Sequence, residues 1–410
     1  MNKKRRRRRG SSALRFVAVA VLVAAVGGGA YYYGLSQGPA SLGERDLEGL
    51  EVYAEALDAV QDDYVDQDSV DPERQTYGAI EGMLDSLGDE GHTRFLSPEE
   101  REDNDEGLSG TYVGVGIQIE DGEDGIVVAS PIEDSPAERA GVEAGDVVVA
   151  VNGDSIVDED VSKVADRVRG PEGSEVEITI LRDGEERVFT LQRARIDSPV
   201  AYWEMLPNSD TAHVRLASFS DDGAEELREA FEEARANGAE EFVLDLRDNP
   251  GGRLDQAVEM AGFFLEPGSV VYVRREADGE RSEVETSGEP VFADAPMAVL
   301  VNEGSASSSE ILAGALRDND RATVVGETTF GTGTVLAEFE LSDGSSILLG
   351  IAEWLTPGGD FIRETGIEPD VEVALEEDAE PVFPSDLETL SRDEAFDRDS
   401  QLERAFEELD

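Results

Sequence analysis

Leu244-Asp245-Leu246-Arg247-Asp248-Asn249-Pro250-Gly251-Gly252 is an apolar run that breaks into a Gly-Gly turn ahead of a helical pattern. Further along, Val301-Asn302-Glu303-Gly304-Ser305-Ala306-Ser307-Ser308-Ser309-Glu310-Ile311-Leu312 repeats the design: a strand, a turn of small residues, then a helix start. Two strand-to-helix junctions of this kind imply a sheet flanked by helices, with unpaired backbone N–H groups and helix dipoles gathered at one end of the strands. Outward from them, Val214 to Phe219, Phe242 to Leu246, Val270 to Val273, Met297 to Val301 and Thr323 to Val325 read as apolar strands. Helical spacing covers Ala224 to Asn237, Leu254 to Leu265 and Ser307 to Asn319. Residues 196–373 are therefore predicted to form an α/β layered core.

Ahead of that core, residues 107–194 change character. Val113 to Ile119, Ile126 to Ala129, Val147 to Val151, Glu175 to Leu181 and Arg187 to Leu191 are short β-rich runs between Gly/Asp turns, which predicts a small β domain. Residues 46–100 carry apolar residues at three- and four-residue steps: Leu47, Leu50, Leu57 and Val60, then Ile80, Met83, Leu84 and Leu87. That spacing predicts two helices, and Ser97-Pro98 begins a further short turn. Residues 376–410 read as an acidic tail with a solvated charged face, in which Gln401 to Leu409 adds a helix.

The first residues form a third compartment. Phe16 to Tyr33 is uncharged and, as a helix, would rise about 27 Å against a hydrocarbon layer about 30 Å thick. Lys3, Lys4 and Arg5 to Arg9 precede it and Tyr31-Tyr32-Tyr33 closes it. This is the pattern of a basic cytoplasmic tail (residues 1–13), a single membrane anchor (14–33) and a bulk that lies outside the cytoplasm. A cleaved signal peptide ending near Gly28-Gly29-Ala30 is the alternative.

Composition narrows the chemistry. The chain has 410 residues, 94 Asp+Glu against 34 Lys+Arg, and a formal net charge of −60. Such a surface repels phosphate backbones, so nucleic acid is excluded as a partner of the folded part. The absence of cysteine removes disulfides, thiolate nucleophiles and Cys-ligated metals, and two histidines, His92 and His213, make no metal site. His92 reads as a loop or packing residue. The only lysines are Lys3, Lys4 and Lys163.

Within residues 107–194, the string Asp134-Ser135-Pro136-Ala137-Glu138-Arg139-Ala140-Gly141 is followed by Gly145-Asp146-Val147 and Val151-Asn152-Gly153. Together these closely resemble the PDZ domain, with Val113-Gly114-Val115-Gly116-Ile117 at the loop and strand that receive peptide C-termini. Successive glycine N–H groups suit a terminal carboxylate, and an open strand edge suits an incoming peptide. A domain of this type ahead of the two junctions resembles the carboxyl-terminal processing (tail-specific) serine proteases. The likeness also takes in Gly78-Ala79-Ile80-Glu81-Gly82-Met83-Leu84, Val325-Gly326-Glu327-Thr328-Thr329-Phe330-Gly331, Thr356-Pro357-Gly358 and Gly366-Ile367-Glu368-Pro369-Asp370.

The resemblance implies a multidomain α+β protein: a membrane anchor with helices, a PDZ β domain and a protease-like α/β core. It places the nucleophile at Ser307 and the oxyanion hole at Gly251 or Gly252 with the N–H of Ser308. Polypeptide C-termini are the implied partners, homo- or heterodimers are common, and no cofactor is needed for a serine mechanism. The family's base is a lysine in Phe-Gly-Lys-Gly, with a glutamine four residues on. Here those positions hold Thr332 and Leu336. Threonine has no accessible basic form near neutral pH, so the expectation is an inactive or severely impaired pseudoprotease that still binds tails. An active endopeptidase using another base, with His213, Glu310 and Glu327 as the candidates at hand, is one alternative; a regulatory partner of an active relative is another.

Overall fold

The computed structural model describes residues 44–410 apart from 90–91, 123–124, 133–134, 157–158, 183, 376–378, 380 and 410. The basic tail and the anchor expected at residues 1–33 lie outside the described residues. Among those described, no helix is long and apolar enough to cross a membrane.

The chain divides into two compact units, residues 1–79 and 80–410. The first holds α1 (Glu44–Asp63) and the start of α2 (Pro72–Asp85). The helix pair predicted between residues 46 and 100 is therefore present, but that stretch is not helical throughout. β1 (Arg94–Leu96) pairs antiparallel with a strand of the core, Arg94 opposite Leu348. The short turn expected at Ser97-Pro98 is in fact a full helix, α3 (Pro98–Ser109). Its sequence is almost entirely polar, so its start depends on capping: Glu100 N–H donates to Ser97 Oγ, and Ser97 N–H donates back to Glu100 Oε2 at 2.8 Å.

The β domain follows. β2 (Thr111–Gly114) is set apart from β3 (Ile117–Gly122), β4 (Gly125–Pro131), β5 (Val147–Val151), β6 (Asp154–Ser155), β7 (Glu175–Arg182) and β8 (Glu185–Gln192), which form one antiparallel sheet in the order β3-β4-β5-β7-β8 with β6 on β5. Two helices, α4 (Pro136–Ala140) and α5 (Val161–Val168), cover it, and Val128, Val151, Val164 and Ile180 meet in its core. β9 (Ala194–Asp197) returns to pair with β2, closing the domain where the chain leaves it.

Beyond it come β10 (Ala201–Met205), β11 (Thr211–Leu216), α6 (Gly223–Ala236), β12 (Glu241–Asp245) and α7 (Leu254–Phe264). Next are β13 (Val270–Arg275), β14 (Arg281–Glu285), β15 (Met297–Val301), α8 (Ser308–Asp318), β16 (Thr323–Gly326), β17 (Thr334–Glu340), β18 (Ser346–Leu355) and β19 (Val371–Glu372). The main sheet runs β10-β11-β12-β15-β16-β19, parallel except for the β10 edge. The strand expected at Val270 to Val273 exists but belongs elsewhere: β13 joins a second, antiparallel sheet with β14, β18, β17 and β1.

Residues 376–410 are not the solvated tail expected of them. They fold as α9 (Pro384–Leu387), α10 (Arg392–Arg398) and α11 (Ser400–Glu407), and Val382, Leu387, Ala395, Leu402 and Ala405 are buried against Val243, Ala298, Leu300 and Val325. The opposite pleat face of the same strands, Phe242, Leu244, Val299 and Val301, packs under α6, α7 and α8. A parallel sheet needs cover on both faces. All five residues of β15 are buried, and the acidic C-terminal segment supplies the second cover.

Candidate active site

Both diagnostic turns leave the carboxyl ends of adjacent parallel strands, β12 and β15, where open α/β sheets place their functional crevice. The turn after β12 is built around Asn249. Its Nδ2 donates to Leu216 O, its Oδ1 accepts the Gly251 N–H at 2.9 Å, and its carbonyl accepts from Ala306 N–H and from Ser309 Oγ. Asp248, at φ 57°, and Asn302 lock the two turns together: Asp248 N–H donates to Asn302 Oδ1 and Asn302 Nδ2 donates to Asp248 Oδ1. The contact is too close for a side chain at residue 251. Gly251 has φ +98°, and a Cβ there would lie 2.8 Å from the Ser307 Cβ and 2.9 Å from the Ser308 nitrogen.

Ser307 stands at the entry to α8 with φ 55° and ψ −116°, a left-handed backbone that a non-glycine residue adopts only under constraint. The constraint comes from Glu310, which is wholly buried. Its Oε2 accepts the N–H groups of Ser307 (2.8 Å) and Thr332 (3.0 Å); its Oε1 accepts the Gly331 N–H and the Thr329 hydroxyl. Four donors satisfy one buried carboxylate and tie the Ser307 turn to the 329–332 loop. All its lone pairs are committed to that scaffold, so it is not available to Ser307 Oγ. The serine-to-glutamate spacing of a capping box was visible beforehand, and it is the signal by which this organising role could have been found.

The expected site residues separate cleanly. Ser307, Ser308, Gly251, Gly252 and Thr332 come together. Thr332 is buried, and its Oγ1 accepts the Ser307 N–H at 3.0 Å. Of the two glycines, Gly251 already gives its N–H to Asn249. Gly252 N–H and Ser308 N–H have no acceptor among the described residues. Leu336 lies out on β17, exposed, its backbone opposite Gly350. His213 is fully buried and bonds Asp245 Oδ2 at 2.9 Å, and Glu327 meets Gln401.

In the β domain, Gly114, Val115, Gly116, Ile117 and Ile119 line a groove of about 190 Å³ between β3 and α5, with Ala165 and Val168 on the α5 side. Val113 is not part of it. Paired with Arg195 in the β2–β9 ribbon, it lines a separate cleft with Glu102 and Glu172. Gly116 (φ +77°) is obligatory in the groove, since a Cβ there would come within 2.1 Å of the Ser135 Cβ.

Residues 210–373 match Peptidase family S41 and residues 127–182 match the PDZ domain. The chain is 34% identical over 342 residues to the carboxy-terminal processing protease CtpA of Bacillus subtilis (strain 168), an alignment spanning 83% of this chain and 72% of the relative. The chain belongs to the carboxyl-terminal processing serine protease family. A probable CtpA-like serine protease of Staphylococcus aureus (strain COL) is 36% identical over 341 residues, covering 83% of this chain and 68% of that one. The fold is also similar to the photosystem II D1 C-terminal processing protease (31% identity, 84% of this chain, 98% of that chain, TM-score 0.49).

Beneath this family site runs a line of buried charge. Arg247 is wholly buried; it donates to Asp245 through Nη2 (2.6 Å) and to Asp399 of the C-terminal segment through Nη1 (2.8 Å). Burial alone would push the Asp245 carboxyl up, but the Arg247 guanidinium, reinforced by the His213 hydrogen bond, holds it well below the usual carboxylate range. A depressed carboxyl contributes stability that is complete above its unfolded value of about 4 and is lost as pH falls toward the folded value. Fluorescence of Trp203 and Trp354 followed from pH 6 to pH 2 should show native signal lost below about pH 4. In Asp245→Asn the same signal should depend less on pH in that window. Parallel curves would remove Asp245 as the acid-sensitive group.

Proposed function

We propose that this family member binds polypeptide C-termini in its PDZ groove and presents them to a serine-peptidase core, with Ser307 as nucleophile, that is severely impaired as a protease. The observation that carries this reading is the hydroxyl of Thr332 seated against the Ser307 backbone, where the family's lysine is expected. No lysine elsewhere can substitute: Lys163 is an exposed residue on α5 paired with Asp160, and Lys3 and Lys4 precede the anchor sequence. Gly252 N–H and Ser308 N–H supply the oxyanion hole. Residues 14–33 hold the protein in the membrane with its bulk outside the cytoplasm, and the N-terminal helices are the surface for pairing with a second copy or an active relative.

Tail binding is tested with a peptide ending in apolar residues, as free acid and as amide, titrated against the full chain by fluorescence anisotropy. Loss of the terminal charge should weaken binding at least about tenfold, in line with a charge-assisted hydrogen bond of about 1.5–3 kcal/mol. Equal affinity for the two forms would remove the PDZ groove as the tail site.

A further inference from the structure

We infer that His92, oriented by Asp89, is the proton acceptor for whatever hydrolysis the core retains, an inference that rests on Ser307 as nucleophile. The chain has only two imidazoles, and His213 is committed to Asp245 inside the sheet. His92 stands differently. It is 8% exposed, yet neither ring nitrogen has a hydrogen-bond partner among the described residues. Leaving buried polar atoms unpaired is costly and calls for a reason.

Its surroundings are those of a base. The Asp89 carboxylate lies 3.5 Å from His92 Nδ1, on the side away from Nε2, as an orienting acid should be. Asp89 is itself fixed by the Arg363 guanidinium (2.7 Å) and by the Thr93 hydroxyl. Arg363 presses on the loop that replaces the lysine motif: a Cβ on Gly333, next to Thr332, would lie 2.9 Å from the Arg363 Cβ. The His92 ring meets Phe330 edge-on at 6.0 Å between centroids, and the Phe330 N–H donates to Ser305 O, two residues before Ser307. Phe330 thus meets His92 through its ring and the nucleophile's turn through its backbone. The Phe330 side chain is 56% exposed. Ser307 Oγ has no hydrogen-bond partner among the described residues, so its proton is open to a base that closes in.

In this step His92 Nε2 takes the Ser307 hydroxyl proton as Oγ bonds to the substrate carbonyl carbon, and the oxyanion settles on Gly252 and Ser308 N–H. The C–N bond then breaks, and the imidazolium returns the proton to the leaving amine. Water, deprotonated by the same nitrogen, releases the acyl group and restores Ser307.

The test is the rate at which a fluorophosphonate probe labels Ser307 in the full chain, with Ser307→Ala as blank and amide-against-acid tail binding as the check on folding. His92→Gln, close to the native size against Phe330, and His92→Ala should each lower the rate about 100-fold, the low end for loss of a positioned base. Added imidazole should restore part of the loss in His92→Ala and none in His92→Gln. A wild-type rate no higher than that of the unfolded chain overturns the inference and leaves tail binding intact. Unchanged rates in the His92 variants also overturn it, as does a loss that imidazole does not relieve, which would make His92 a packing residue. Failure of the tail-binding check would count instead against the reading of the PDZ groove.

Discussion

Thr332→Lys combined with Leu336→Gln should raise cleavage of an unfolded reporter with an Ala-rich C-terminus by about 10³-fold or more. The size follows from what a missing base costs: a serine enzyme stripped of its activating partner retains only about 10³ to 10⁴ over water, from the oxyanion hole and binding. Gly252 and Ser308 have N–H groups without an acceptor among the described residues, Ser307 is held in its strained turn by Glu310, and the side chain at 332 starts from a backbone already bonded to that same carboxylate. An amine introduced at this buried position loses hydration, which lowers its pKa toward the range where it can take a proton at neutral pH. The gain should vanish on adding Ser307→Ala. A double variant that melts like wild type yet stays silent would show that the missing lysine is not what limits this core.

The largest stability effect should come from Arg247→Met. It removes the cation that bridges Asp245 and Asp399, all three side chains being fully buried, and leaves both carboxylates without their guanidinium partner. Breaking a buried ion pair from one side costs about 3–5 kcal/mol, seen as a lower midpoint in a urea titration. The effect should extend beyond the strand. Asp399 also caps α11 by accepting the Leu402 N–H, and it accepts the Val382 N–H, while Phe383 stacks on Arg215. The C-terminal helices should therefore lose amide-exchange protection before the rest of the sheet. An unchanged midpoint would mean that those helices are held by apolar burial alone.

How much of this was legible varied by segment, for physical reasons. The strand-to-helix junctions and the PDZ strings are local: glycine positions, capping spacing and alternating apolar residues carry their own conformational meaning. The main-sheet strands from β11 to β16 and α6 to α8 followed from them, while the grouping of Ser307, Ser308 and Gly251 or Gly252 was what the family resemblance implied. The C-terminal segment was misread because its charge dominates its composition, while the few residues that matter, Val382, Ala395 and Leu402, are spaced too widely to stand out. One clue lay elsewhere. Met297 to Val301 is apolar without alternation, as a strand buried on both faces must be, so a second covering layer had to exist. Strands β14, β17 and β18 were missed because an antiparallel sheet half open to solvent alternates polar residues freely.

The histidines show the same division more sharply. Sequence alone put Thr332 after Phe330-Gly331, where the resemblance leads one to expect a lysine, and it established the family through motifs in fixed order. It put His213 ahead of His92 as a replacement base, because His213 lies in the protease-like core and His92 read as a loop or packing residue; neither carries a motif. Only the tertiary structure sealed His213 onto Asp245 inside the sheet and placed His92 beside Phe330, with no hydrogen-bond partner among the described residues. Pairing of a buried polar group is decided by neighbours distant in the chain, and these are brought to it by the packing of the whole core.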